Sequence, residues 1–140
     1  MLYAALYVSR AMRRQTEADL ADLLLMSRKR NAERGLTGRL VYAARGNEVG
    51  TFVQWIEGDD WQVRGLLYGP ILRDGRHALV GIPFEGPVAQ RAFPSWTMGY
   101  ERLDGERAVF REVERLAALA ERTVPVRPHF DRQRPFRIDV

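Results

Sequence analysis

The tightest constraint on this chain lies in its first strand-length segment. Leu2–Ser9, LYAALYVS, is apolar at odd and even positions alike, with aromatic and β-branched members. A strand of that composition has to be covered on both faces, so its sheet needs a layer on each side. The rest of the sequence supplies those layers. Thr16-Glu-Ala-Asp19 is a helix start with acids in its first turn. Leu20, Leu23, Leu24, Ser27 and Asn31 follow at helical spacing on one face, and Gly35 offers a left-handed stop.

Two strands come next, Arg39–Ala44 and Thr51–Glu57, joined by a turn-forming stretch, Arg45–Gly50, with two glycines and an asparagine. Asp59 or Asp60 caps a second helix whose apolar face is Val63, Leu66, Leu67, Pro70 and Ile71. Pro70 lies well inside that helix, which predicts a kink or break there. Strands near Ala78–Phe84 and Phe93–Tyr100 follow, then a helix over Glu106–Arg122 that buries Val109, Val113, Leu116 and Ala120. The order βαββαββ plus a final helix predicts an α+β sandwich of the ferredoxin-like type. Two helices should cover one sheet face and the last helix the other. The expected units are residues 1–103 as the domain proper, 104–122 as the packing helix, and 123–140 as a proline- and arginine-rich tail.

Composition narrows the chemistry. The chain has 140 residues and no cysteine, which excludes disulfides, thiolate nucleophiles and cysteine zinc sites. Only His77 and His129 are present, so a multi-histidine metal centre is excluded as well. The net charge of +4 could attract nucleic acid, an acidic partner or a phosphate, and selects none of them. No apolar run reaches the ~20 residues of a membrane span, and no secretory signal is recognisable. A cytosolic protein without a membrane role is expected.

Candidate functional residues are polar groups on apolar faces. Period two places Phe52, Gln54 and Ile56 on one side of their strand, so an amide sits inside a greasy row. Leaving it unpaired would cost on the order of 1–3 kcal/mol. Asn31 poses the same problem on the first helix. Tyr7 shares a face with Tyr3, Ala5 and Ser9, and Trp96 and Met98 lie two apart in the expected last strand. Singly, each has an ordinary structural reading. Together they describe a polar-lined pocket suited to a planar ligand with carbonyls and ring nitrogens, the ligand itself unnamed.

Four segments, in order, carry a resemblance. They are Leu6-Tyr-Val-Ser9, Ser27-Arg-Lys-Arg-Asn-Ala-Glu-Arg-Gly-Leu-Thr-Gly38, Phe52-Val-Gln-Trp-Ile-Glu-Gly58 and Phe93-Pro-Ser-Trp-Thr-Met-Gly99. Arg73-Asp-Gly-Arg-His77 is a looser fifth. Over about residues 1–100 the chain resembles the BLUF domain, a blue-light sensor that uses flavin. The resemblance implies noncovalent FAD, with FMN or riboflavin as alternatives, lying between the first two helices. It implies that Tyr7 gives an electron and a proton to the excited ring and that Gln54 links that phenol to the flavin's carbonyl edge. Asn31 would hold the ring's polar edge, with Arg30 near the ring or its ribityl chain. Leu23, Ser27, Phe52 and Ile56 would wall the cavity, and Asp74 and Arg76 would meet the ligand from the second helix. Trp96 and Met98 would carry the change into the last strand.

The resemblance implies a sensor rather than an enzyme, its signal leaving through an effector protein or through self-association, with a homo-oligomer expected. Three other readings compete. One is the same fold without flavin, serving as an interaction module. Another is an RNA-recognition domain, but Phe52-Val-Gln-Trp55 matches only half of that signature, with Glu48 and Gly50 where a basic residue and an aromatic belong. The third, an acyl-phosphate hydrolase, lacks the required glycine-rich loop.

Overall fold

The structure is a computed structural model that describes residues 1–46 and 48–123. Its elements are β1 (Leu2–Ala11), α1 (Glu17–Arg34), β2 (Thr37–Ala43), β3 (Thr51–Asp59), α2 (Asp60–Leu66), β4 (His77–Pro87), β5 (Gly99–Leu103) and α3 (Gly105–Thr123). The sheet order is β4-β1-β3-β2-β5, antiparallel except for the β2–β5 pair. The strongly apolar β1 therefore lies inside the sheet between β4 and β3, as its two-faced burial requires.

One sheet face packs Tyr3, Ala5, Leu40, Tyr42 and Ile56 against Leu20 and Leu24 of α1 and Val63 and Leu66 of α2. The other packs Leu6, Val8, Val41, Val53 and Trp55 against Val109, Val113, Leu116 and Ala120 of α3. The ferredoxin-like sandwich with its last helix on the opposite face is thus present. Trp55 is fully buried there and stacks on Phe84 with ring centroids 5.8 Å apart. Among the described residues, neither sheet face is an open aromatic surface of the RNA-binding kind.

Local chemistry accounts for the helix limits. Thr16 and Asp19 form a reciprocal capping box at the start of α1, with bonds of 3.1 and 2.9 Å. Gly35 closes the helix at φ 66°, a conformation in which a side chain would be strained. The proline in the second helical stretch widens the coil instead of ending it. Residues Leu67–Ile71 make a single π-turn, a register that accommodates the missing N–H of Pro70, and helical backbone resumes to Arg73.

The last strand is shorter and later than expected. Residues 93–98 form turns and bends, and β5 begins only at Gly99. Pro94 has no donor for a ladder, and Trp96 N–H closes a turn onto the Phe93 carbonyl at 3.3 Å. Trp96 and Met98 consequently do not share a strand face. This crossover is held by Glu57, which is fully buried at the end of β3. Its carboxylate accepts the Ala92 and Phe93 N–H groups at 2.7 and 2.8 Å, Trp55 Nε1–H at 2.8 Å and the Thr37 hydroxyl at 2.7 Å. Edge strand β4 runs longer than its expected Ala78–Phe84; it carries Pro83 and Pro87 and shifts register twice against β1, between Leu6 and Val8 and between Val8 and Ser9. The proline- and arginine-rich tail beyond Thr123 lies outside the described residues.

Removing the Glu57 carboxylate strands an indole and two backbone donors in the core. Glu57→Ala should lower stability to chemical denaturation by about 3 kcal/mol or more, and Glu57→Gln by less. A loss under about 1 kcal/mol for the alanine variant would show that water can take the carboxylate's place.

Candidate functional site

Strand register builds the floor of a cavity on the α1–α2 side of the sheet. Tyr7 of β1 pairs directly with Gln54 of β3, which pairs on its other side with Leu40 of β2. One step along, Ser9, Phe52 and Tyr42 repeat the arrangement. Period two turns Tyr7, Ser9, Leu40, Phe52 and Gln54 toward the same space. α1 gives one wall, Leu23, Met26, Ser27 and Arg30, at helical spacing. The opposite wall is Pro70 and Ile71 of the π-turn, Asp74 and Arg76 of the loop that follows and His77 at the start of β4, and Gln15 completes the lining.

Burial pushes the Tyr7 phenol far above its ordinary range, opposed only in part by the charge of Arg30. Tyr7 is therefore a hydrogen-bond donor at neutral pH, and it donates to Gln54 Oε1. That fixes the amide's orientation. Its Nε2 faces the thioether of Met98 at 3.6 Å, a weak acceptor. Gln54, 3% exposed, is thus bound firmly at one end and loosely at the other.

Other polar atoms at this site lack partners. Ser9 Oγ, Arg30 Nε and His77 Nδ1, all from cavity-lining residues, are buried without a hydrogen bond. So is Oδ1 of Asn31, a fully buried residue whose Nδ2 donates to the Thr97 carbonyl at 2.6 Å. Burial lowers the pKa of Arg30. Asp74 and Arg76 bind each other, with contacts of 2.6 to 3.0 Å that hold the carboxyl low and the guanidinium high. Orphaned donors and acceptors beside one slot mark a site built for a polar, planar ligand.

Of the residues picked from sequence, Tyr7, Leu23, Ser27, Arg30, Phe52, Gln54, Asp74 and Arg76 line this cavity together. Asn31, Ile56 and Met98 do not line it. Ile56 is fully buried in the core, and Met98 stands behind Gln54. Trp96 is 47% exposed and stacks on Phe93 at 5.5 Å. Sequence reasoning assigned no role to Ser9, Gln15 or His77. Ser9 was accessible through its period-two alignment with Tyr7, whereas His77 approaches the Tyr7 ring (6.4 Å between centroids) only through the path of the loop.

His77 has a lowered pKa, first through burial, with Asp74 and the Ile71 backbone opposing. The folded chain then holds this proton less tightly than the unfolded chain. Its contribution to stability is complete above the unfolded value near 6.5 and is lost as pH falls below it. Melting temperature should therefore drop between about pH 7.5 and about pH 5.5, and drop less in His77→Gln. The Asp74 carboxyl, lowered first by its bond to Arg76, acts only in more acidic solution. An equal drop in both proteins would remove His77 as the cause.

Comparison with known proteins places these features in a family. The sequence profile described as "BLUF: Sensors of blue-light using FAD" matches residues 2–99. The chain is 36% identical over 94 residues to the photoactivated adenylate cyclase subunit beta of Euglena longa, a match covering 66% of this chain and 10% of that protein. The subunit beta of Euglena gracilis is 34% identical over 93 residues, again a tenth of its length. The chain thus spans about a tenth of the curated relatives it matches. Among solved structures, the dark state of BlrB, a BLUF protein, superposes with a TM-score of 0.62 at 32% identity, covering 82% of this chain and 83% of that one. A bacterial light-regulated adenylyl cyclase superposes with a TM-score of 0.66 at 25% identity over 87% of this chain and 34% of its own. A pocket floored by a tyrosine–glutamine pair, on this sheet and under this profile, leaves one conclusion: the chain belongs to the BLUF family of flavin-using blue-light sensors.

Proposed function

We propose that residues 1–103 form the light-sensing unit, with Tyr7 and Gln54 as its photochemical pair and a flavin held between α1 and the α2 π-turn. The observation that carries this reading is the buried Tyr7–Gln54–Met98 chain on the cavity floor. A bound flavin supplies a photo-excitable ring that can accept an electron, with carbonyls and ring nitrogens along one edge. Tyr7 would give its electron together with its phenolic proton to the excited ring. Both would return to it as the Gln54 amide exchanges its ends, so that only a rearranged hydrogen-bond network is left to revert in the dark. Gln54 answers by exchanging which of its ends accepts and which donates, by rotation or tautomerisation. The weak bond to the Met98 sulfur makes that exchange inexpensive, because little is lost when Nε2 leaves it. No covalent bond to the protein is formed, in keeping with a chain that lacks cysteine.

Arg30, Asp74 and Arg76 ring the slot with charge suited to the ribityl and phosphate portion; to Asn31, whose buried Oδ1 lacks a partner, this reading gives the ring's polar edge. FAD is the inferred flavin. FMN, which accompanies Klebsiella pneumoniae BlrP1 in a solved structure that this chain resembles at 27% identity, is the alternative. We read the chain as a sensor rather than an enzyme, since the flavin-sensor profile matches residues 2–99. Its signal then goes to an effector protein or into self-association as a homo-oligomer, in a cytosolic setting. No helix among the described residues is long and apolar enough to cross a membrane.

An absorption spectrum taken in darkness and just after blue illumination tests the reading. The protein should be yellow, with flavin bands that move slightly to the red and return in the dark. Tyr7→Phe should keep the flavin and abolish the shift. A colourless protein that takes up neither FAD nor FMN would overturn the proposal, and a normal shift in Tyr7→Phe would remove Tyr7 from it.

A further inference from the structure

On α3, the face that packs on the sheet is apolar at Val109, Val113 and Leu116, and carries one acid, Glu112, at 5% exposure. A carboxylate in such a layer is costly without partners. Glu112 accepts Arg39 Nε–H at 2.7 Å and the Arg115 guanidinium at 2.8 and 2.9 Å. Arg39 is itself only 6% exposed, on the α3 side of β2, and its second arm binds the Glu101 carboxylate of β5. One guanidinium thus clasps β2, β5 and α3. Burial alone would lower its pKa, but the bonds to Glu112 and Glu101 raise it, so the clasp stays charged.

The clasp lies a short way from the pocket amide. Parallel register sets Arg39 opposite Gly99, and Gly99 follows Met98, whose sulfur faces Gln54 and whose carbonyl accepts Arg28 Nε–H at 3.0 Å. β5 is an edge strand of five residues bonded to a single neighbour, so its register is the least constrained in the sheet. The remaining packing of α3 on the sheet is apolar, and such contact is non-directional. A charge-assisted fork, by contrast, depends on both distance and angle.

Resting on the photoreceptor reading above, we propose that Arg39 is the positioning residue that converts a change at Gln54 into a change in α3. When the Gln54 amide exchanges its ends, its bond to Met98 is lost. Met98 and Gly99 then shift along β2, and Glu101 moves with them. Arg39 redistributes between Glu101 and Glu112, and α3 is held to the sheet differently. The route from flavin to helix needs no contact between α3 and the pocket.

The test is amide hydrogen exchange of α3 in the FAD-loaded full chain, in darkness and under continuous blue light, with the absorption shift recorded on the same samples. The wild type should show a light-minus-dark difference in α3. Glu112→Gln keeps the shape and removes the charge; it should retain the red shift and its dark return while the α3 difference falls at least about fivefold. Arg39→Met should do the same. Val113→Ala, which loosens α3 without touching the clasp, should keep the difference. A wild-type-sized difference in Glu112→Gln, equal loss in Val113→Ala, or a red-shifting wild type with no change in α3 would each overturn the relay. A flavin-loaded wild type without any red shift would overturn the photoreceptor reading and the relay with it.

Discussion

Glu57 sits out of contact with solvent where β3 ends, and three separate stretches of chain bring donors to its carboxylate. Much of the domain depends on that convergence. The chain leaves β4 at one edge of the sheet and has to reach β5 at the other. The bonds to Ala92 and Phe93 fix its path against the α3-side core, and Arg91 adds contacts to the Gly35 carbonyl and the Thr37 hydroxyl. Only a chain routed this way delivers Thr97 and Met98 to Asn31 and Gln54. A buried acceptor with several backbone donors is hard to rearrange, because each alternative leaves groups unpaired. The segment that carries Thr97 and Met98 to the site is thus tied to a buried, many-bonded anchor.

Against that anchor, the Gln54 amide is under-held, its Nε2 facing only the Met98 thioether. The core beside the pocket is closely packed, with Leu66, Leu67 and Ile56 showing no exposed surface. Under the function proposed above, the change is a choice between two hydrogen-bonding patterns of this one side chain. Small rearrangements in a closely packed setting are transmitted, since neighbours cannot absorb them by relaxing into voids.

Much of this is legible in the sequence because it rests on local rules. The capping box of Thr16 and Asp19, the Gly35 stop and the period-two rows that align Tyr7 and Gln54 all depend on neighbours within a few residues. Expectation and structure part where a distant partner overrides local preference. Phe93–Tyr100 has the aromatic content of a strand, yet Pro94 and the pull of Glu57, over thirty residues upstream, make most of it a turn. Arg39 reads as an unremarkable strand residue, since periodicity assigns a face but cannot reveal that acids 62 and 73 positions later will meet it. The π-turn is an intermediate case: Pro70 announces an irregularity, and only packing decides that the helix widens instead of stopping.

The irregular edge strand β4 bears on how such a protein can associate. Two prolines subtract donors from it, and two register shifts twist it out of line with any straight strand laid alongside. The sheet therefore cannot readily be lengthened by another chain from that side. That edge is in this way shielded from the least selective kind of contact, backbone to backbone, in which any extended segment would serve. Whatever meets β4 must recognise side chains.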